Sequence, residues 1–109
     1  MRDAVVIGAG LAGLTAALRL AHGGAKVTLV TKGIGGLQLS QGTVDLLGYS
    51  DSGRVAQPLA EVETHIASRP GHPYSHFTPE FIAESANWLK EVLDPKLLVG
   101  DPRQNVVIP

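Results

Sequence analysis

The 109-residue chain contains no cysteine, which excludes disulfides, thiolate nucleophiles and cysteine-bound metals. An excess of charge of one sign is also lacking, because nine Lys and Arg residues stand against ten Asp and Glu, for a formal net charge of −1. A chain this close to neutral has no general attraction to polyanions. We therefore expect no nucleic acid among its partners.

A hydrophobic run long enough to cross a membrane is missing as well. The N-terminal apolar stretch, from Ala4 to Leu18, is shorter than the roughly 18 to 20 residues of a transmembrane helix, and glycines interrupt it. It also makes a poor signal peptide, since a β-rich run follows where a cleavage site would be. We expect a cytoplasmic protein with no direct membrane insertion.

Glycine, by contrast, is plentiful, with 13 residues, and three of them form a spaced pattern. An apolar run, Ala4 to Ile7, leads into the segment Gly8-Ala9-Gly10-Leu11-Ala12-Gly13. A helical pattern follows, and then a second β-rich run from Val27 to Val30. This context predicts an α/β fold with a Rossmann-like βαβ flavin/dinucleotide-binding unit over residues 4–32.

Each glycine of this pattern has a predicted role. Gly8 allows a sharp turn after the strand, Gly10 lacks the Cβ that would hold a pyrophosphate away, and Gly13 lets the helix approach the sheet. The helix N-terminus would then stabilise the phosphate charge. We expect an apolar stripe to cover the sheet and Gly23-Gly24 to end the helix; the stripe consists of Leu11, Leu14, Ala17, Leu18 and Ala21.

The end of the second strand lacks the Asp or Glu that usually binds the ribose hydroxyls of a dinucleotide. Thr31 and Lys32 stand there instead. A Thr hydroxyl is a neutral and weaker partner for ribose, and a lysine beside it could face a phosphate or only solvent. From the residues alone NAD, NADP and FAD remain open, as does a glycine-rich turn that binds nothing.

A longer pattern resembles flavoproteins. Ala17 and Gly24 extend the glycines to GxGxxGxxxAxxxxxxG, which is similar to the fingerprint of FAD-binding domains in two-domain flavoproteins. Thr31-Lys32 resembles the strand end of the succinate dehydrogenase, fumarate reductase and aspartate oxidase group. In that group a Gly- and Ser-rich loop wraps the flavin pyrophosphate and ribityl chain. The resemblance implies cofactor contacts in residues 33–42, at Gly33, Gly36, Ser40, Gln41 and Gly42.

Three segments narrow the resemblance to the family of anaerobic glycerol-3-phosphate dehydrogenase B subunits. They are Val30-Thr31-Lys32-Gly33, the stretch from Leu39 to Leu47 (LSQGTVDLL), and His72-Pro73-Tyr74-Ser75. The resemblance implies a flavin subunit of a membrane-associated complex. Such a complex oxidises sn-glycerol 3-phosphate to dihydroxyacetone phosphate and passes electrons toward quinone.

The same resemblance implies two partners, a catalytic A-type subunit and an iron-sulfur subunit that anchors the complex to the membrane. The chain would then lie at the inner face of the cell membrane through a partner. The B-type member of the complex is commonly assigned FMN, whereas a helix N-terminus behind Gly10 suits a pyrophosphate. We therefore expect FAD, with FMN as the alternative.

The remainder of the chain predicts one partial domain over residues 1–109, the N-terminal part of an FAD-binding domain and a fragment of a longer protein. Residues 33–50 form the cofactor loop, and residues 51–109 form helical segments and short strands. Asp51-Ser52-Gly53 predicts a turn, and prolines at N1 positions predict helices from Pro58 to about Ser68 and from Pro79 to Asp94. Strands are expected over 97–99 and 106–108.

No catalytic residue is identified by sequence. His65, His72 and His76 lack an acid or cysteine at ligand spacing, so we favour a surface loop over a metal site. Asp45 could accept a proton near a flavin but fits better as a local hydrogen-bond acceptor, and Ser40 lacks a His partner. Three functions compete: a flavin-binding oxidoreductase subunit, an NAD(P)-dependent enzyme, and a scaffold subunit without cofactor.

Overall fold

A computed structural model describes residues 1–94 and 96–105. The chain divides into two compact units, Met1–Thr43 and Val44–Pro109. Helices and short strands occur in both units, which confirms the α/β class predicted from sequence. Among the described residues, no helix has the length and apolar character that a membrane crossing requires.

The first unit is a strand, a helix and a second strand. Strand β1 (Ala4–Ile7) and strand β2 (Val27–Val30) pair in parallel, with Ala4 opposite Val27 and Ile7 opposite Val30. Helix α1 (Leu11–His22) connects them and contacts both. Parallel neighbours need such a crossover, and their carboxyl ends therefore lie at the same edge of the sheet.

Helix α1 begins and ends where the glycines predict. Gly10 is its N-cap and Gly23 its C-cap. Its apolar stripe is only partly covered, however, because a sheet of two strands is too narrow to bury a whole helix face. Leu14 and Ala17 are half-buried, whereas Leu11 and Leu18 remain 43% and 41% exposed. The expectation that the stripe covers the sheet is therefore only half met.

The second unit begins with a hairpin and continues into two helices. Strands β3 (Tyr49–Ser50) and β4 (Gly53–Arg54) are antiparallel and joined by the predicted turn at Asp51-Ser52. Helix α2 spans Pro58–Ser68 and helix α3 spans Pro79–Val92, with a short 3₁₀ helix, Pro73–His76, between them. A small core joins these elements and consists of Leu47, Val55, Val62 and Ile82.

Helix bounds were predicted better than the later strands. Both helices of the second unit begin at their predicted prolines, and α3 ends two residues before Asp94, whose φ is +76°. The strand predicted over 97–99 is wrong, because Lys96 to Leu98 form turns and a bend. Asp94 folds this segment back through its carboxylate, which accepts a hydrogen bond from the Lys96 amide at 2.8 Å. The strand predicted over 106–108 lies outside the described residues.

Candidate functional site

The turn between β1 and α1 is built on a left-handed glycine. Gly8 has φ +105°, a conformation that side chains with a Cβ rarely adopt. Its amide donates a hydrogen bond to the Val30 carbonyl oxygen at 2.8 Å, which ties the turn to the end of β2. The turn therefore lies at the edge where both parallel strands end.

Gly13 and Gly10 have different surroundings in this turn. A Cβ added to Gly13 would overlap the Gly8 carbonyl oxygen and approach Val6 Cγ1 to 3.6 Å, so Gly13 is the close contact between α1 and β1. A Cβ added to Gly10 would meet no protein atom within 4 Å. The space in front of Gly10 is open, and a ligand can approach its backbone there.

The first turn of α1 has unpaired amides and no competing negative charge. Leu14 donates the first intrahelical hydrogen bond, to the Gly10 carbonyl oxygen at 3.0 Å. The amides of Leu11, Ala12 and Gly13 precede it and have no helical acceptor. Neither a capping side chain nor an acidic residue is present in this described turn. These amides and the helix dipole make the turn suitable for an anion.

The loop after β2 folds back onto the glycine turn. Thr31 and Gly33 form a tight local pair, in which the Thr31 hydroxyl donates to the Gly33 carbonyl oxygen and accepts from the Gly33 amide at 3.3 Å. Two residues later, Gly35 has φ +75° and leaves no room for a Cβ, which would overlap the Ala9 carbonyl and lie 2.8 Å from the Gly10 amide nitrogen. The loop backbone thus packs directly on the Ala9–Gly10 peptide.

An open cleft of about 590 Å³ lies beside these two segments. The cleft contains three of the predicted site residues, Ala9, Thr31 and Gly33, and four that sequence reasoning did not assign, Leu14, Ile34, Leu37 and Gln38. Most of its surface is apolar. A cleft with apolar walls beside unpaired helix amides offers a contact surface for a flat ring system and a separate position for a phosphate.

The other predicted site residues lie outside the lining of this cleft. Gly36 caps the 3₁₀ helix Leu37–Leu39, and the Ser40 hydroxyl accepts a hydrogen bond from the Gly42 amide at 3.2 Å. Gln41 between them is exposed. Lys32 is exposed too, and it makes no ion pair with any described residue. The structure thus brings the Gly8–Gly13 turn and Thr31–Gly33 together, while Ser40–Gly42 form a separate local turn.

Gly35 is the residue that sequence analysis missed most clearly. The sequence predicts cofactor contacts at Gly33 and Gly36 of the same loop, but Gly35 makes the close approach to the turn. The cluster of three glycines within four residues, Gly33 to Gly36, was the available signal. Spacing alone could not identify which of the three lies against Ala9.

The histidines considered for a metal site lie in the second unit around Tyr74. The His72 ring is 5.0 Å from the His65 ring and 4.7 Å from the Tyr74 ring, and His72 Nδ1 accepts a hydrogen bond from the Tyr74 amide at 3.2 Å. Burial raises the pKa of the Tyr74 phenol above its ordinary value of 10.0. Over the described ranges, no three His, Asp or Glu side chains come together to hold a metal ion.

The residues of the glycine turn and of the loop after β2 fit a bound dinucleotide phosphate. Gly10 faces open space, three amides stand unpaired, and the nearby loop contains no carboxylate that would repel an anion. Among the described residues of the first unit, no contact identifies a side chain that would donate or accept a proton in catalysis.

Comparison with known proteins supports this fit. The family described as FAD binding domain matches residues 3–106, and this match supports FAD as the cofactor. Curated relatives named as the B subunit of anaerobic glycerol-3-phosphate dehydrogenase include one from Aliivibrio fischeri, 36% identical over 92 residues. That alignment covers 84% of this chain and 20% of the relative.

Two further relatives have the same name. The protein from Pectobacterium carotovorum is 36% identical over 106 residues, covering 94% of this chain and 25% of the relative, and that from Vibrio cholerae is 38% identical over 93 residues, covering 84% and 21%. The chain thus spans about a fifth to a quarter of these relatives. The resemblance to B subunits is confirmed, and no solved structure gives a significant match. By its family match, the chain belongs to the FAD-binding domain family.

Proposed function

We propose that the chain is the flavin-binding part of the B subunit of an anaerobic glycerol-3-phosphate dehydrogenase. The complete enzyme would oxidise sn-glycerol 3-phosphate to dihydroxyacetone phosphate and pass electrons toward quinone. The names of the relatives and the family match support a flavin-dependent dehydrogenase subunit. Because the chain covers about a fifth of those relatives, we assign cofactor binding to these residues and not the oxidation itself.

One observation supports this proposal above the others: the N-terminus of α1 is uncapped behind Gly10, where an added Cβ would meet no described atom within 4 Å. We propose that α1, β1 and β2 form a Rossmann-type unit and that the FAD pyrophosphate binds at this turn. Its amides would replace the water that solvates the phosphate oxygens in solution. The contacts would come from Gly8, Ala9, Gly10, Leu11, Ala12 and Gly13.

The remaining predicted residues would bind the rest of the cofactor. We assign the adenosine side to Thr31, Lys32 and Gly33, because they follow β2 at the same edge as the glycine turn. The ribityl side is assigned to Gly36, Ser40, Gln41 and Gly42. When bound, the flavin would supply an acceptor for electrons that come from the oxidation site and the means to release them one at a time.

The wider organisation is also a proposal. We infer that both units belong to one partial FAD-binding domain, residues 1–109, because the family match extends across the unit boundary. A catalytic A-type subunit would contribute the oxidation site, and an iron-sulfur subunit would anchor the complex. The chain would then lie at the cytoplasmic face of the membrane through that partner.

The direct test uses the protein purified with its complex. We expect a yellow protein whose visible spectrum shows oxidised flavin, and glycerol 3-phosphate should bleach it under anaerobic conditions. Chromatography of the released nucleotide should identify FAD. A colourless complex that stays colourless after FAD and FMN are added would refute flavin binding and favour the scaffold function.

An NADP-binding oxidoreductase is the second candidate, because Lys32 is exposed and no acid follows β2. A cation in place of that acid favours a 2′-phosphate over a 2′-hydroxyl. Calorimetric titration of the chain with NADP and FAD separates the two functions. Tighter binding of NADP, lost in Lys32→Ala, would support the alternative, whereas tighter binding of FAD supports the flavin proposal.

A further inference from the structure

Among the described residues that line the cleft beside the glycine turn, two have polar side chains, Thr31 and Gln38. They differ in how much hydrogen-bonding capacity remains for a ligand. The Thr31 hydroxyl has one proton, which it donates to the Gly33 carbonyl oxygen, and one of its two lone pairs accepts from the Gly33 amide. It therefore retains one acceptor site and no donor.

The carboxamide of Gln38 keeps its full hydrogen-bonding capacity for a ligand. Its side chain lines the cleft and makes no hydrogen bond with any residue in the described part of the chain. A carboxamide offers two N–H donors and two oxygen lone pairs. Gln38 lies in the middle of the 3₁₀ helix Leu37–Leu39, which follows the loop that packs on Ala9 through Gly35. The helix fixes the backbone of Gln38 beside the cleft.

The position of Gln38 suggests what it recognises. In dinucleotide-binding units an acid at the end of the second strand usually accepts hydrogen bonds from the ribose hydroxyls. Thr31 lies at that end here, and its hydroxyl already makes two hydrogen bonds with Gly33. A ribose between Thr31 and Gln38 would find one acceptor on the first and a donor and an acceptor on the second.

We infer that Gln38 is a specificity-determining residue, which hydrogen-bonds the adenosine ribose hydroxyls of the nucleotide, while Thr31 is a positioning residue that holds the loop. The inference rests on the proposed function, since it names which residue of the FAD site recognises the ribose. Gln38 is exposed, and the apolar side chains beside it in the cleft, those of Leu14, Ile34 and Leu37, offer no competing hydrogen-bonding group. The carboxamide replaces the usual carboxylate without adding negative charge near the pyrophosphate.

The test compares Gln38→Leu with a matched control, Gln104→Leu, which makes the same change at an exposed glutamine of the second unit. Each variant of the full chain is titrated calorimetrically with ADP and with 2′,3′-dideoxy-ADP, which lacks both ribose hydroxyls. The unmodified chain should prefer ADP by roughly two- to tenfold, the worth of one or two neutral hydrogen bonds. Q38L should lose most of this preference, because only the Thr31 acceptor remains for the ribose hydroxyls, and Q104L should keep the preference.

Two further results decide the inference. Gln38→Ala is measured beside Q38L, because it removes the carboxamide without adding a branched side chain, and it should also lose most of the preference. If Q38L and Q38A still prefer ADP as the unmodified chain does, the role of Gln38 is refuted while nucleotide binding stands. If the unmodified chain binds neither FAD nor ADP, the proposed function is refuted, and the role of Gln38 with it.

Discussion

At the scale of single residues, Gly10 and Gly13 show how the same amino acid serves two purposes three positions apart. Gly13 is needed by the fold, because its Cβ would overlap the Gly8 carbonyl oxygen. Gly10 is not, since it faces open space and has an ordinary extended backbone with φ −76° and ψ 179°. The described fold therefore sets no requirement for glycine at position 10, and we expect a ligand to set it.

Gly10→Val should lower FAD affinity by at least about tenfold, because the branched side chain occupies the space where a pyrophosphate approaches. The circular dichroism spectrum should stay unchanged. Gly71→Val is the matched control, since Gly71 also meets no atom within 4 Å and lies in the second unit. Equal FAD affinity in G10V and the unmodified chain would mean that the ligand does not cross this turn.

Tyr74 gives a pH prediction at the same scale. Its phenol is partly buried against the second unit's core, and burial raises its pKa above 10.0. As the pH rises, the Tyr74 phenol therefore loses its proton at a lower pH in the unfolded chain than in the folded chain. The contribution of Tyr74 to stability is complete below pH 10.0 and declines as the pH rises through the higher pKa of the folded state.

Tyr74→Phe should therefore lose less thermal stability above pH 10.0 than the unmodified chain does. The measurement is Tm from neutral pH to about pH 11. Tyr49→Phe is the control, because Tyr49 is 72% exposed and its phenol meets solvent whether the chain is folded or not. An identical decline of Tm in Y74F and the unmodified chain would contradict the role of burial at Tyr74.

At the scale of elements, local signals determine where helices begin, and contacts distant in sequence determine how they pack. Helix α3 begins at Pro79 behind Thr78, whose hydroxyl accepts a hydrogen bond from the Phe81 amide at 3.1 Å. Both residues are adjacent in sequence, so the cap was predictable. The core that joins α2 and α3, with Val62 and Ile82, brings together residues distant in sequence instead.

Thr78→Ala should destabilise the chain by about 1 kcal/mol, because the first turn of α3 loses its side-chain acceptor. Thr78→Ser retains a hydroxyl and should restore most of that stability. Urea unfolding followed by circular dichroism measures both variants. If T78A and T78S unfold at the same urea concentration as the unmodified chain, the cap does not stabilise α3.

Gly13→Ala should destabilise the first unit by about 1 to 3 kcal/mol, since α1 must move away from β1 to admit the methyl group. Gly10→Ala adds the same methyl group in open space and should cost less than about 1 kcal/mol, the difference between glycine and alanine as an N-cap. Equal unfolding midpoints for G13A and G10A would contradict the close contact.

The limits of sequence prediction follow the same division. Neighbouring residues predict the strand-helix-strand order, the ends of α1 and α2 and the cap of α3. These residues are glycines, prolines and Thr78. The failed strand over 97–99 was predicted from three apolar residues in a row, and the positive φ at Asp94 that turns the chain there left no comparable pattern. Gly35 and Gln38 lie at the candidate site because of how the loop folds, and the hydrophobic periodicity of the sequence does not encode loop folding.

At the scale of the whole molecule, every described feature of the proposed cofactor site lies in the first unit. The glycine turn, the uncapped helix and the cleft all lie within residues 1–43. The second unit has its own core around Val62, which is only 1% exposed. The family match covers both units, so the similarity to flavoproteins is wider than the site itself.

The measurement that tests the central claim most directly is a calorimetric titration of the 109-residue chain with FAD, repeated in the presence of excess ADP and then of excess FMN. A site built on the glycine turn and the adjacent cleft should bind FAD with one ligand per chain. ADP should displace it, because ADP contains the pyrophosphate and the ribose, whereas FMN should displace it far less. Displacement by FMN but not by ADP would contradict the claim, as would the absence of FAD binding.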